Sequence, residues 1–330
     1  MIKKLAMTLA AAALLIATGC GDSKTPLLTY VARANSDSIP HLYTLNEATG
    51  QSTAVAIPIP NDAFFVSSNS DANKVVYTRD GENGWDIFLM GTDGVEKQLT
   101  TGADAWAPVF SPDGKTIAFV SYQSGDDQVY TMGADGSNAT PVFTAAGEEE
   151  EFPVFSQDGK SLVFWAWNND CCANNARQHG IGHGINRAQH PAKQTAHHAV
   201  AHVSGFADDG LYKIGISGST PTLVYATDEW WGPTAFTADG SGVLFTQYDG
   251  TEYNVFTVKL DGSALTPLTT STEEENFSPV AHKNKILFNR YNSETSSSDI
   301  YSMDQNGANQ TLVHSTADTS EILLDGYWGD

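Results

Sequence analysis

The sequence predicts an all-β chain built as a six-bladed β-propeller of four-stranded blades. Three observations carry this: two columns of aromatic residues that recur with one period, turn motifs in step with them, and a tail segment that completes the first unit. The first column reads Tyr30, Tyr77, Phe119, Phe164, Phe245 and Phe288, at intervals of 42 to 47 residues apart from one of 81. The second reads Tyr43, Phe88, Tyr130, Tyr212, Phe256 and Tyr301, with intervals of 42 to 45 and one of 82 at the same place. Within a unit the two aromatics lie 11 to 13 residues apart, except Phe164 and Tyr212, which are 48 apart. Subtracting the usual 11 from 48 leaves an insertion of about 37 residues in unit four.

The turns divide each unit into strands, labelled a to d in chain order. Ser111-Pro112-Asp113-Gly114-Lys115, Ser156-Gln157-Asp158-Gly159-Lys160 and Thr237-Ala238-Asp239-Gly240-Ser241 precede the first aromatic column. Aspartate then glycine suits a type I turn closing on a positive-φ residue, which is a hairpin connection between a and b. Thr92-Asp93-Gly94, Ala134-Asp135-Gly136, Leu260-Asp261-Gly262 and Gln305-Asn306-Gly307 follow the second column and connect c to d. The first unit starts directly at a strand b, near Leu28 to Val31, and Ser320 to Trp328 is placed like a strand a with no unit after it. The C-terminal strand therefore joins the first blade and closes the ring, pairing edges that would otherwise stay open.

The run Pro108-Val109-Phe110-Ser111-Pro112-Asp113-Gly114-Lys115, through Ile117-Ala118-Phe119 to Val129-Tyr130-Thr131-Met132 and Asp135-Gly136, resembles the repeats of TolB-type β-propellers. Ile300-Tyr301-Ser302-Met303 with Asn306-Gly307 is a second match, and the resemblance spans most of residues 27 to 328. It implies the propeller fold and an envelope scaffold that binds proteins. TolB itself carries an α/β domain before its propeller, whereas here the first blade begins about seven residues after Cys20.

Ahead of the propeller, Lys3 and Lys4 precede a charge-free run from Leu5 to Ala17, too short to span a bilayer comfortably. Ala17-Thr18-Gly19-Cys20 follows and resembles the lipobox of bacterial lipoproteins, with Ala17 where leucine is usual. The expected organisation is a leader at 1–19, a lipidated Cys20 with a short tether over 20–26, and a propeller over 27–330. An ordinary secretory leader cleaved nearby is the competing reading. Gly21 after the cysteine implies, by resemblance, an outer-membrane or surface address rather than retention at the inner membrane.

Composition narrows the partners. Against 39 acidic residues stand 17 basic ones, a formal charge of -22, which excludes nucleic-acid binding through a basic face. The segments before each strand a should ring the mouth of the central channel, and acid followed by aromatic recurs in them. The pairs are Asp62 with Phe64, Asp104 with Trp106, Glu151 with Phe152, Glu229 with Trp230 and Trp231, and Glu275 with Phe277; Glu321 is the acid of the sixth. Such a ring suits a basic or amphipathic peptide, a divalent cation such as calcium, or a sugar stacked on tryptophan. The competing reading packs the aromatics between blades and leaves the acids as solvated loop residues.

The insertion, about Asn168 to Phe206, falls in a b-to-c connection and so on the mouth side. It holds six of the nine histidines together with Cys171 and Cys172, and has no acid from Cys171 to Ala207. His198 and His202 stand four apart in an alanine-rich stretch, which is metal-ligand spacing. A loosely ordered cover over the mouth, or a pair of compensating reading-frame errors, accounts for the same composition. His41 and His314 flank strands c and d away from the channel and read as surface residues; His282 falls in an a-to-b turn.

Catalytic motifs are missing. There is no G-x-S-x-G elbow, and Gly114-Lys115-Thr116 lacks the first glycine of a phosphate loop because Val109 stands there. The expected function is a non-catalytic envelope lipoprotein, membrane-held through its lipid, that binds a protein or peptide at an acidic, aromatic channel mouth without a required cofactor. The alternative is a carbohydrate-binding or metal-dependent polysaccharide lyase propeller.

Overall fold

A computed structural model describes residues 28–34, 40–46, 49–82, 84–144, 148–168, 206, 208–227, 230–292, 297–315 and 319–323. These residues form 24 strands in six blades, each an antiparallel sheet in the order a, b, c, d from the axis outward. Blade 2 is Phe64–Ser68, Lys74–Gly81, Gly84–Gly91 and Glu96–Gln98; blade 3 is Ala105–Phe110, Thr116–Ser121, Gln128–Gly133 and Thr140–Pro141. Blade 4 is Glu148–Phe155, Ser161–Asn168, Gly210–Gly215 and Thr222–Ala226; blade 5 is Trp230–Phe236, Gly242–Tyr248, Tyr253–Lys259 and Thr266–Pro267. Blade 6 is Glu275–His282, Lys285–Asn292, Ser297–Asp304 and Thr311–His314. Blade 1 takes Leu28–Ala34, Pro40–Asn46 and Gln51–Ala54 from the start of the chain and Thr319–Leu323 from its end.

The aromatic columns form the spine of the blades. Each first-column residue is the cross-strand partner of its second-column residue in all six blades, from Tyr30 with Tyr43 to Phe288 with Tyr301. The ring centroids of these pairs lie 5.2 to 6.3 Å apart and 15 to 32° from parallel. Side chains of alternate parity face neighbouring blades, so Leu244 and Val255 of blade 5 pack with Ile286 and Phe288 of blade 6. Blade 4 keeps its b-to-c pairing on both sides of the insertion, with Phe164 opposite Tyr212. Phe206, expected to end the insertion, belongs instead to the blade core: it is buried and lies 4.4 Å from the Tyr212 ring and 6.0 Å from that of Phe164.

The three a-to-b turns repeat one set of bonds. Ser111, Ser156 and Thr237 donate their hydroxyls to Asp113, Asp158 and Asp239 at 2.7–2.8 Å. The backbone N–H two residues after each aspartate donates to the same carboxylate oxygen at 3.0–3.1 Å. The c-to-d glycines also lock the ring. Gly262 (φ +80°) and Gly307 (φ +83°) sit where an added Cβ would meet the carbonyl oxygens of Val224 and Leu268, beside strand d of the preceding blade, at 2.8 and 2.5 Å. A side chain there would meet both a disfavoured φ and a backbone wall.

Closure rests on several contacts, among them a parallel pairing of Ser298 in blade 6 with Ser320 of the C-terminal strand. Thr319–Leu323 pairs antiparallel with Leu28–Ala34, with Ile322 opposite Val31, as the tail segment predicts. Another is His314, which bridges blade 6 to blade 1 rather than standing on the surface. Its Nδ1 lies 3.1 Å from the Gly50 carbonyl oxygen, and its Nε2 lies 3.0 Å from the Tyr30 hydroxyl. His282, expected in a turn, ends a strand a and is buried, whereas His41 is exposed as its position implies. Among the described residues no helix is long and apolar enough to cross a membrane.

Candidate functional site

The mouth is shaped by one irregularity repeated in five blades. Every strand a from blade 2 to blade 6 slips register at the same place: Phe64/Ser67, Trp106/Val109, Glu151/Val154, Trp231/Ala235 and Phe277/Val280. Pro108, Pro153, Pro233 and Pro279 fall inside the slip and have no N–H to give the ladder. The residues just before the first, second and last of these prolines, Ala107, Phe152 and Ser278, take φ near +50°, as Phe65 does in blade 2. Left-handed backbone at phenylalanine costs about 1–3 kcal/mol and needs compensation from packing.

That packing is an aromatic cluster of three adjacent blades. Phe65 of blade 2 and Phe152 of blade 4 meet at 5.9 Å between ring centroids although blade 3 lies between them. Trp106 of blade 3 completes the triangle, 5.5 Å from Phe65 and 5.4 Å from Phe152, the latter edge-on at 85°. Trp106 is 3% exposed and Phe152 7%. The expectation that they offer flat faces to a ligand is therefore corrected: the bulge turns them inward into the core between blades 2 and 4. Phe64 stays half-buried at the edge, packed on Trp85 at 5.2 Å.

The acids divide into buried and rim groups. Glu151 of strand a is 2% exposed, and it shares a buried pocket with Glu149 and with Asp127 of blade 3, one carboxylate oxygen of each lying within 4.8 Å of the others. The indole N–H of Trp167 donates to Glu149 at 3.1 Å, and the Val129 N–H donates to Glu150 at 2.7 Å. Three carboxylates at this spacing offer the all-oxygen donor set that a hard divalent cation takes. Asp127 escapes sequence reasoning because it lies 22 residues before Glu149, in a b-to-c loop whose approach to strand a of the next blade only the ring creates.

On the rim, Asp62 is exposed and pairs with Arg79 at 3.5 Å, and Asp104 accepts the Trp85 N–H at 3.3 Å from a backbone at φ +43°. Glu275 and Phe277 are half-buried. Trp230 and Trp231 pair through their backbone with Gln247 and Thr246, and Glu321 with Ala32. Glu229, His198, His202 and Cys20 lie outside the described residues. Two arginines near this end are engaged: Arg79 lies 4.9 Å over the Phe88 ring, while Arg290 pairs with Glu274 at 3.2 Å and lies 4.4 Å over Tyr301. The rim loops are fixed from below. Buried Asp86 accepts from the Thr100 hydroxyl at 2.9 Å, the Gln98 amide at 3.1 Å and the Gly102 N–H at 3.2 Å. In blade 5 Asn254 fills the same place, bonded to Thr269 and Ser271.

The fold and this mouth define a closed six-bladed propeller with an anionic rim. A family profile described as the TolB beta propeller domain matches residues 15–183, and the chain belongs to that family. Among solved structures it is similar to TolB from Acinetobacter baumannii (TM-score 0.59, 16% identity, 89% of this chain), spanning 65% of that protein's length. It is also similar to a chain of the nidogen/laminin complex (TM-score 0.57, 12% identity, 91% of this chain and 99% of that one). A third is an oligogalacturonate lyase in complex with manganese (TM-score 0.52, 14% identity, 87% and 72%). At such identities the likeness establishes the fold.

Proposed function

We propose that this chain is a non-catalytic envelope lipoprotein, anchored through Cys20, whose propeller binds a basic or amphipathic segment of another envelope protein or peptide at its acidic mouth. One observation carries the reading: the mouth-side loops bring Asp62, Glu82, Asp104, Glu252, Glu273 and Glu274 to one end of the ring. Cationic side chains of a ligand at this end meet an excess of carboxylates. Membership of the TolB propeller family and the likeness to a chain of the nidogen/laminin complex support a protein partner over a small substrate.

The likeness to oligogalacturonate lyase and the Asp127, Glu149, Glu151 group favour the second reading, a metal-dependent lyase. An anionic rim repels a uronate substrate, so the binding reading is preferred. Titration of the purified chain with a lysine-rich amphipathic peptide tests it. Binding should weaken as salt rises and weaken again in the Glu82→Lys, Glu273→Lys double variant, both positions being exposed. Salt-insensitive binding, or preferential binding of oligogalacturonate, would contradict it.

A further inference from the structure

The two faces of the ring differ in charge and in what they expose. Strand a runs down from the mouth, b runs up and c runs down again, so all a-to-b and c-to-d turns gather on the opposite face. Lys74, Lys115, Lys160, Lys259 and Lys283 are exposed there, with Lys115 and Lys160 about four-fifths exposed (80% and 81%). The acids of this face are largely the turn aspartates, among them Asp113, Asp135, Asp158, Asp239 and Asp261, which accept from their own turns' hydroxyl and N–H groups. Asp113 and Asp158 also pair with Lys115 at 3.4 Å and Lys160 at 4.0 Å, so this face is mixed in charge where the mouth is acidic. Large apolar side chains are exposed on the same face. Val95 (65%), Ile216 and Leu265 lie in c-to-d turns, and Leu312 (52%) is the second residue of the strand d that follows one; among the described residues, the other exposed large hydrophobic is Tyr248, on the mouth side.

The chain also enters the ring on this face. Leu28 begins a strand b, at the a-to-b end of blade 1, and it stands eight residues after Cys20, a reach of at most about 30 Å. A chain this acidic, of formal charge -22 over its full length, turns its least acidic side to anionic lipid when held this close to it.

We infer that the a-to-b and c-to-d turn face is a membrane-docking surface. Its lysines lie against lipid phosphates, Val95, Ile216, Leu265 and Leu312 lie at the headgroup boundary, and the acidic mouth is displayed away from the bilayer. The tether rests on the Cys20 anchor of the proposed function; the lysines and apolar side chains supply the surface themselves. This arrangement leaves the mouth open to a partner while the ring stays on the membrane, which a ring docked by its mouth would not.

The test uses the full chain in cells, with a benzophenone-bearing amino acid in place of Val95, Leu265 or Glu273. After irradiation, intact masses of the membrane-bound protein should show lipid adducts from positions 95 and 265 and none from 273. Lipid adducts from 273, or from none of the three, in a chain whose mass carries acyl groups at Cys20 would overturn the inference. An unacylated Cys20 would instead refute the anchor, and vesicles then decide the surface. Binding to phosphatidylethanolamine vesicles containing phosphatidylglycerol should fall about tenfold or more in the Lys115→Gln, Lys160→Gln variant. No binding, or binding unchanged by that variant, would overturn the docking surface as well.

Discussion

Trp106 sits at the meeting point of three blades, and its substitution separates a core role from a rim role. Trp106→Ala should cost about 3–5 kcal/mol in urea-induced unfolding, as large buried aromatics do. A cost below about 0.5 kcal/mol, the usual range for surface positions, would place the ring outside the core. The acid-aromatic pattern at Asp104 and Trp106 is legible in the sequence, and so is its place before strand a. Its direction is not, because the register slip reverses the alternation that assigns side chains to faces. The role of His314 is hidden for a different reason. Its partners Tyr30 and Gly50 are 284 and 264 residues away, and only ring closure brings them together.

At the scale of the element, aromatic pairs and turn motifs are readable because both are local chemistry repeated from blade to blade. The turn aspartates also predict an acid response. Hydroxyl hydrogen bonds from Ser137, Ser156, Thr237 and Ser263, followed by backbone N–H bonds, hold Asp135, Asp158, Asp239 and Asp261 below the ordinary carboxylate range. Since the folded values are depressed, the stability they contribute is present above the unfolded pKa and is lost as pH falls through the folded values. The urea midpoint should therefore stay nearly level from about pH 7 to 5 and fall below about pH 4. Ser156→Ala with Thr237→Ala should shrink that fall, and a fall of unchanged size would locate the acid response elsewhere. The interlocking glycines give a second expectation. Gly262→Ala should destabilise by more than about 1 kcal/mol, since it adds a clash with Val224 of the neighbouring blade to the cost of φ +80°. An unchanged midpoint would show that the blades tolerate separation at their outer turns.

For the whole molecule, the proposal is a closed ring that sits on the membrane by one face and binds by the other. Chain ends that share blade 1 make the ring a single cooperative unit, so shortening the chain before Thr319 should open the seam and abolish one-step unfolding. A single sharp transition in the shortened chain would show that the blades hold together without the seam. The count of six blades and the termini's shared blade can be read from spacing alone. The faces cannot be weighed against each other until the topology puts these turn lysines on one side. The most direct measurement is photocrosslinking in cells from Glu273 on the mouth rim, with the captured species identified by mass. A discrete protein adduct, lost in the Glu82→Lys background, is the predicted result. A protein adduct from Leu265 on the turn face, with none from Glu273, would contradict the account.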